Sequence, residues 1–370
     1  MPIFGLEIRH HVCRVLKSYL SFTPIDRVHM LKSMIFVVVI LLVAVVAGSF
    51  TFTQWKATAI ETAFPSTGTR TDVGGYALNS VDLPAGPAAD LPPIVFIHGA
   101  SGNLLDQMGA FRKPLEGRAR LIFIDRPGYG YSDRGGPEND TPAGQADAIA
   151  TLLRKKGISR AIIVGHSLGG AIAASFGVRH PDMTEGLLFL SAATHPWNGG
   201  VDWYYDLAAT PYIGKLFCNT LLLPIGLTRI DSGTVSVFAP NPRPASYVRE
   251  TAPQLILRPN SFCANARDVA GLNAYVRQVQ PRYHEIKAPT IVITGDADDV
   301  VAEEIHSVGL KRDIPSAELV WLKGVGHKTD YVATDIAIAA IEKIAGKAQD
   351  LQAMAANFHA PTADQAISLK

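Results

Sequence analysis

Ala161-Ile-Ile-Val-Gly-His-Ser-Leu-Gly-Gly-Ala-Ile-Ala-Ala-Ser-Phe-Gly-Val-Arg179 is the stretch that decides how the rest of the chain is read. It opens on the short apolar run Ala161–Val164, which suits a strand buried on both faces. It then passes through Gly165-His-Ser-Leu-Gly169 and continues as an Ala-rich helix, Leu168–Arg179, stopped by Pro181. Gly-x-Ser-x-Gly alone is a weak signal, and the strand before it and the helix after it are what give it weight. A serine can sit on so sharp a turn only if its neighbours have almost no side chain. Gly165 and Gly169 provide that clearance, and Gly170 extends it. The alternative is a tight strand-to-helix turn carrying an idle serine.

Working outward, similar compact runs recur at Ile94–Ile97, Arg120–Ile124, Gly186–Leu190, Thr290–Ile293 and Glu318–Trp321. Helical patterns lie between them, at Thr141–Lys155 and again at Val332–Ile344. Alternation of this kind predicts a doubly wound, mostly parallel sheet. Val73–Leu83 reads as two short strands before the breaker-rich Pro84–Asp90. From Thr194 to His284 the alternation stops. Aromatics (Trp197, Trp203, Tyr204, Tyr205, Tyr212, Phe217) and many prolines there predict a mainly helical insertion.

A serine nucleophile needs a base, and the base needs an orienting carboxylate. Thr294-Gly-Asp-Ala-Asp-Asp-Val-Val301 and Gly324-Val-Gly-His327 both follow strand candidates. Open α/β sheets gather their ligands just past such strand ends. The order Ser…Asp…His is the one that accompanies a nucleophile elbow. Asp296, Asp298 and Asp299 compete for the acid, and His327 is the candidate base.

Five landmarks in order carry a resemblance: His98-Gly-Ala-Ser-Gly102, Asp125-Arg-Pro-Gly-Tyr-Gly-Tyr-Ser132, Gly165–Gly169, Gly295-Asp-Ala-Asp298 and Gly326-His327. Over roughly 74–344 the sequence resembles α/β-fold hydrolases of the esterase, haloperoxidase-like and carbon–carbon-bond hydrolase group. The resemblance implies an α/β-hydrolase fold with Ser167 as nucleophile, His327 as base and Asp298 as triad acid. Backbone N–H groups of Ala100 and Leu168 would form the oxyanion hole. His98 and Asp125–Ser132 would be supporting loop residues, and His166 receives no role. Relatives that open epoxides or remove halogen use Asp at the elbow, where this chain has Ser167. No dinucleotide fingerprint or Walker loop is found, so no cofactor is implied.

The expected reaction is hydrolysis of an ester or related acyl compound of small to medium size, the aromatic insertion capping an apolar substrate. The aromatics have an alternative use as the cap's own core. Carbon–carbon-bond cleavage or perhydrolysis would use the same triad. A binding protein on a silent hydrolase fold is the non-enzymatic alternative.

Hydrophobic residues make up 48% of the 370 residues and charged residues 18%, which supports a large core. A net charge of +1 gives no global field for nucleic acid. Ser33–Trp55 carries no charge and as a helix spans about 34 Å, enough to cross a bilayer core. Arg9, Arg14, Lys17, Arg27 and Lys32 precede it and only Lys56 follows closely. The positive-inside rule then keeps the N-terminus cytoplasmic and places the rest outside the cell membrane. Cleavage near Ala47-Gly-Ser49 is the competing, signal-peptide reading.

The expected order is therefore a cytoplasmic segment (1–32), a transmembrane signal anchor (33–55), a linker (56–72), hydrolase core (73–193), cap (194–284), hydrolase core (285–345) and a frayed or disordered tail (346–370). Of the three cysteines, Cys13 would be cytoplasmic, whereas Cys218 and Cys263 share the cap on the oxidising side and are candidates for a disulfide. None has zinc-site spacing, so no metal is expected.

Overall fold

The computed structural model describes residues 23–362. Cys13, Arg9, Arg14, Lys17 and the tail from Ala363 lie outside the described residues. The chain divides into two compact units, which meet in sequence at Phe52 and Thr53.

The first unit is dominated by helix α1, Pro24–Ala63, which continues into the second. Thr23 starts it with a reciprocal cap. Its Oγ1 accepts from Asp26 N–H at 3.3 Å, and the Asp26 carboxylate accepts from Thr23 N–H at 3.2 Å. Met34 through Val43 are large apolar residues left exposed, a helix surface with no polar stripe. This helix is long and apolar enough to cross a membrane.

The second unit is built on eight strands in the order β1-β2-β4-β3-β5-β6-β7-β8. They are β1 Thr69–Asp72, β2 Ala77–Leu83, β3 Ile94–Ile97, β4 Leu121–Ile124, β5 Ala161–His166, β6 Thr184–Leu190, β7 Thr290–Gly295 and β8 Ala317–Leu322. The pairs from β4 to β8 are parallel, while β1–β2 and β2–β4 are antiparallel. Alternate residues of a strand enter opposite cores. Ile163 and Leu187 join the core holding Ile172 and Ile149, whereas Ile162 and Leu188 join the core holding Phe111 and Ile341. Helices α2 (Leu104–Leu115), α3 (Pro142–Lys155), α4 (Leu168–Arg179), α11 (Glu303–Asp313), α12 (Thr329–Val332) and α13 (Thr334–Ile344) flank the sheet.

The cap is helical: α5 Trp203–Ala209, α6 Ile213–Asn219, α7 Leu222–Leu227, α8 Ile230–Phe238, α9 Tyr247–Thr251 and the long α10 Pro259–Val279. Cys218 and Cys263 are joined as a disulfide, with Cα atoms 6.3 Å apart. Tyr204, Tyr205 and Phe217 pack into the cap's own core, Tyr205 stacking on Phe262, while Trp203 and Tyr212 are exposed.

Two boundaries differ from the sequence expectation. The linker expected at 56–72 is largely structured. Helix α1 runs on to Ala63, Ile60 is buried in the cap core, Glu61 pairs with Arg258 at 2.8 Å, and Thr69–Asp72 forms the edge strand. Burial of Ile60, packing of Ala57 and Phe64 against the same core and the Glu61–Arg258 ion pair hold the helix where the sequence shows only mixed polarity. The tail also docks: α14, Leu351–Ala356, is capped by Asp350 and buries Leu351 against the sheet.

Candidate active site

Every residue singled out for chemistry sits just beyond the C-terminal end of a parallel strand, as open α/β sheets dictate. Ser167 follows β5 and precedes α4, with φ +54° and ψ −125°. That conformation costs a non-glycine residue about 1–3 kcal/mol and needs support from its surroundings. Ser167 N–H donates to Leu190 O at 3.0 Å, and its carbonyl accepts from Gly170 and Ala193 at 2.9 and 3.0 Å. The neighbours have no room for a side chain. A Cβ at Gly169 would come within 2.3 Å of Ile97 O, and one at Gly165 within 2.5 Å of Gly169 O.

The loop after β3 lies against this turn. A Cβ at Gly99, the residue before Ala100, would be 2.9 Å from Ser167 Cβ, and Leu168 follows the serine as the first residue of α4. His98 is fully buried. Its Nδ1–H donates to Gly99 O at 2.9 Å, and its Nε2 accepts from Arg126 N–H at 3.1 Å. Burial, then the Arg126 charge, pushes its pKa well below the ordinary value, so it is a neutral clamp on the loop. Arg126 also reaches Gly99 O at 3.0 Å and is held by buried Asp268 at 2.8 Å. Asp125 accepts from Leu104 N–H, Tyr131 N–H and Asn79, fixing the Asp125–Ser132 loop beneath. From the cap, Asn265 accepts from Ser101 N–H at 2.9 Å, and Tyr205 OH lies 3.4 Å from Ser101 Oγ.

His327 Nδ1 is 2.9 and 3.1 Å from the two carboxylate oxygens of Asp298. Asp298 Oδ1 also accepts from Val300 and Val301 N–H, both at 2.9 Å. Burial opposes ionisation of Asp298, but the His327 hydrogen bond and charge and the two backbone donors outweigh it. Its carboxyl is held below the ordinary value. The competitors sit elsewhere: Asp296 accepts from Gly324 N–H at 2.6 Å, a turn-bracing role, and Asp299 is exposed. Ser167, Asp298 and His327 are all buried, at 9%, 7% and 5% exposed.

Three groups around His327 have no signature in the sequence. His166 stacks obliquely on the His327 ring, centroids 4.9 Å apart, and donates from Nε2 to His327 O at 3.1 Å. Asn241, a buried cap residue, accepts from Gly326 N–H at 2.9 Å and donates to Gly324 O at 2.9 Å, bracing the loop. Behind it, the buried Lys328 ammonium donates to Asp106 at 2.9 Å and Asp330 at 3.0 Å. Asp106, His166 and Asp330 converge as metal ligands would, but Lys328 already bonds both carboxylates. Burial would lower the Lys328 pKa, and the two aspartates more than reverse this. Each of these contacts joins residues far apart in the chain, or neighbours with no recurring pattern.

The family model described as alpha/beta hydrolase fold matches residues 92–221. Over 294 residues the chain is 26% identical to 2-(acetamidomethylene)succinate hydrolase of Mesorhizobium japonicum, covering 74% of this chain and 92% of that protein. It is also 26% identical to Lipase 1 of Psychrobacter immobilis, covering 66% and 73% respectively. The crystal structure of an enol-lactonase from Burkholderia xenovorans superposes with a TM-score of 0.58 at 18% identity, covering 75% of this chain and all of that one. That last likeness is one of fold.

Proposed function

The chain is an α/β-hydrolase-fold protein with relatives named lipase and hydrolase, and on that footing we propose that it is a membrane-anchored serine hydrolase cleaving an ester or related acyl bond. The reading rests on the hydrogen bond between His327 and Asp298, which follow β8 and β7, and on a serine held at positive φ just after β5.

In this mechanism His327 keeps its proton on Nδ1, bonded to Asp298, which leaves Nε2 unprotonated to accept a proton from Ser167 Oγ. Ser167 attacks the acyl carbon, and the N–H groups of Ala100 and Leu168 hold the developing oxyanion. Each such donor contributes about 3–4 kcal/mol to lowering the barrier. His327 then returns its proton to the leaving group. Water, activated by the same base, releases the acid and regenerates Ser167. Asp298 stays ionised throughout and stabilises the imidazolium. The apolar helix α1 would hold the enzyme in the cell membrane with the catalytic unit on the extracytoplasmic side, in accord with the basic residues before it.

Ser167→Ala removes one hydroxyl and no packing. It should abolish fluorophosphonate labelling and turnover of short p-nitrophenyl esters while leaving the melting temperature within a few degrees. Retained labelling would exclude Ser167 as the nucleophile.

A further inference from the structure

We propose that the cap surface formed by helices α6 and α7 rests on the same lipid bilayer that α1 enters; this rests on the reading of α1 as a membrane anchor. Ile213, Leu216, Leu221 and Ile225 are 63%, 55%, 48% and 54% exposed, all large aliphatic side chains within thirteen residues of chain. Soluble surfaces rarely gather apolar residues this densely without a partner. Their surroundings suit a lipid surface. From Leu207 to Ile230 the sequence has no Asp or Glu, but it has Lys215 and Arg229, which favour an anionic headgroup layer.

The position of the bilayer follows from chain connectivity. As a helix, Ser33–Phe52 rises about 30 Å, the thickness of a hydrocarbon core. The next residue, Thr53, is buried and donates from Oγ1 to Thr220 O at 2.9 Å, and Gln54 donates to Asn219 Oδ1 at 3.2 Å. Both contacts are made before the chain regains a charge at Lys56. No spacer therefore separates the end of the apolar stretch from Asn219–Thr220. Ile213 and Leu216 lie on one side of that dipeptide in the sequence, and Leu221 and Ile225 on the other.

The test is photolabelling of the full chain in vesicles of phosphatidylcholine and phosphatidylglycerol carrying a diazirine phospholipid, with adducts located by peptide mass spectrometry. Adducts in both 33–52 and 212–229 are expected. The double variant Leu216→Asp/Ile225→Asp should lose those in 212–229 and keep fluorophosphonate labelling of Ser167. Adducts confined to 33–52 would overturn the cap contact and leave the anchor standing. Adducts in neither segment would overturn the anchor reading and the cap contact with it. Cross-links from 212–229 to a second copy in place of lipid would assign the surface to self-association.

Discussion

Asp298 shares a loop with two other carboxylates, and geometry separates them by function. Asp298→Asn would leave the shape intact but deprive His327 of its orienting charge, so kcat for ester hydrolysis should fall on the order of 10³–10⁴-fold. Asp296→Asn and Asp299→Asn should change it only a few-fold, because one braces Gly324 and the other is exposed. The reverse ranking would move the acid to another residue. Ser167, Asp298 and His327 were legible in the sequence because each belongs to a short motif next to a strand. Lys328, Asp106 and Asn241 were not, since neither a buried ion pair between residues 222 apart nor an amide bonding a loop about 85 residues away leaves a local trace. Lys328→Met would strand two carboxylates in the interior and should destabilise the fold by about 3–5 kcal/mol, measured by denaturant unfolding. An unchanged midpoint would show that Asp106 and Asp330 are satisfied without it.

At the scale of elements, the six core strands stand within two residues of where apolar runs placed them, and the helical insertion falls where the alternation stops. Helix α11 leaves little trace in the sequence because it buries few apolar residues, and α2 carries Pro114 in its last turn. The last turns of α1, within the expected linker at 56–72, have no clear signal in the sequence, since their order depends on contacts such as Glu61 with Arg258 that lie far along the chain. Within the cap, the Cys218–Cys263 bond spans 45 residues of separation and ties α6 to α10. In the chain-entropy account such a closure contributes about 4 kcal/mol, less any strain. Cys218→Ser should therefore lower the cap's resistance to proteolysis, read from the rate of cleavage within 194–284 under non-reducing conditions. Two freely alkylated thiols in membrane-derived protein would remove the bond, and would also count against an oxidising compartment.

Across the whole molecule, acid should act first through buried histidines. His98 and His166 are pushed well below their ordinary pKa and His195 is lowered; His306 is pushed down to about 4; in each the largest cause is burial. His306 accepts from Thr194 and His195 N–H, a role open only to the neutral ring. Unfolded, these rings bind protons below about pH 6.5, while the folded rings resist. The stability they contribute is thus complete above about pH 6.5 and is lost as pH falls towards 4, by up to about 1.4 kcal/mol per pH unit for each ring. Melting temperatures should drop steadily between pH 7 and pH 5, before most carboxylates titrate. A flat profile there would contradict the burial of these rings. The second compact unit begins at Thr53. Thr53, Ile60 and Glu61 make their contacts within that unit, and Tyr131 OH donates to Phe64 O. A peptidase cutting at Ala47-Gly-Ser49 would take away only residues that precede all of these. The shed product would carry its clasp with it, so under the proposed function an anchored and a released form would share one intact folded unit.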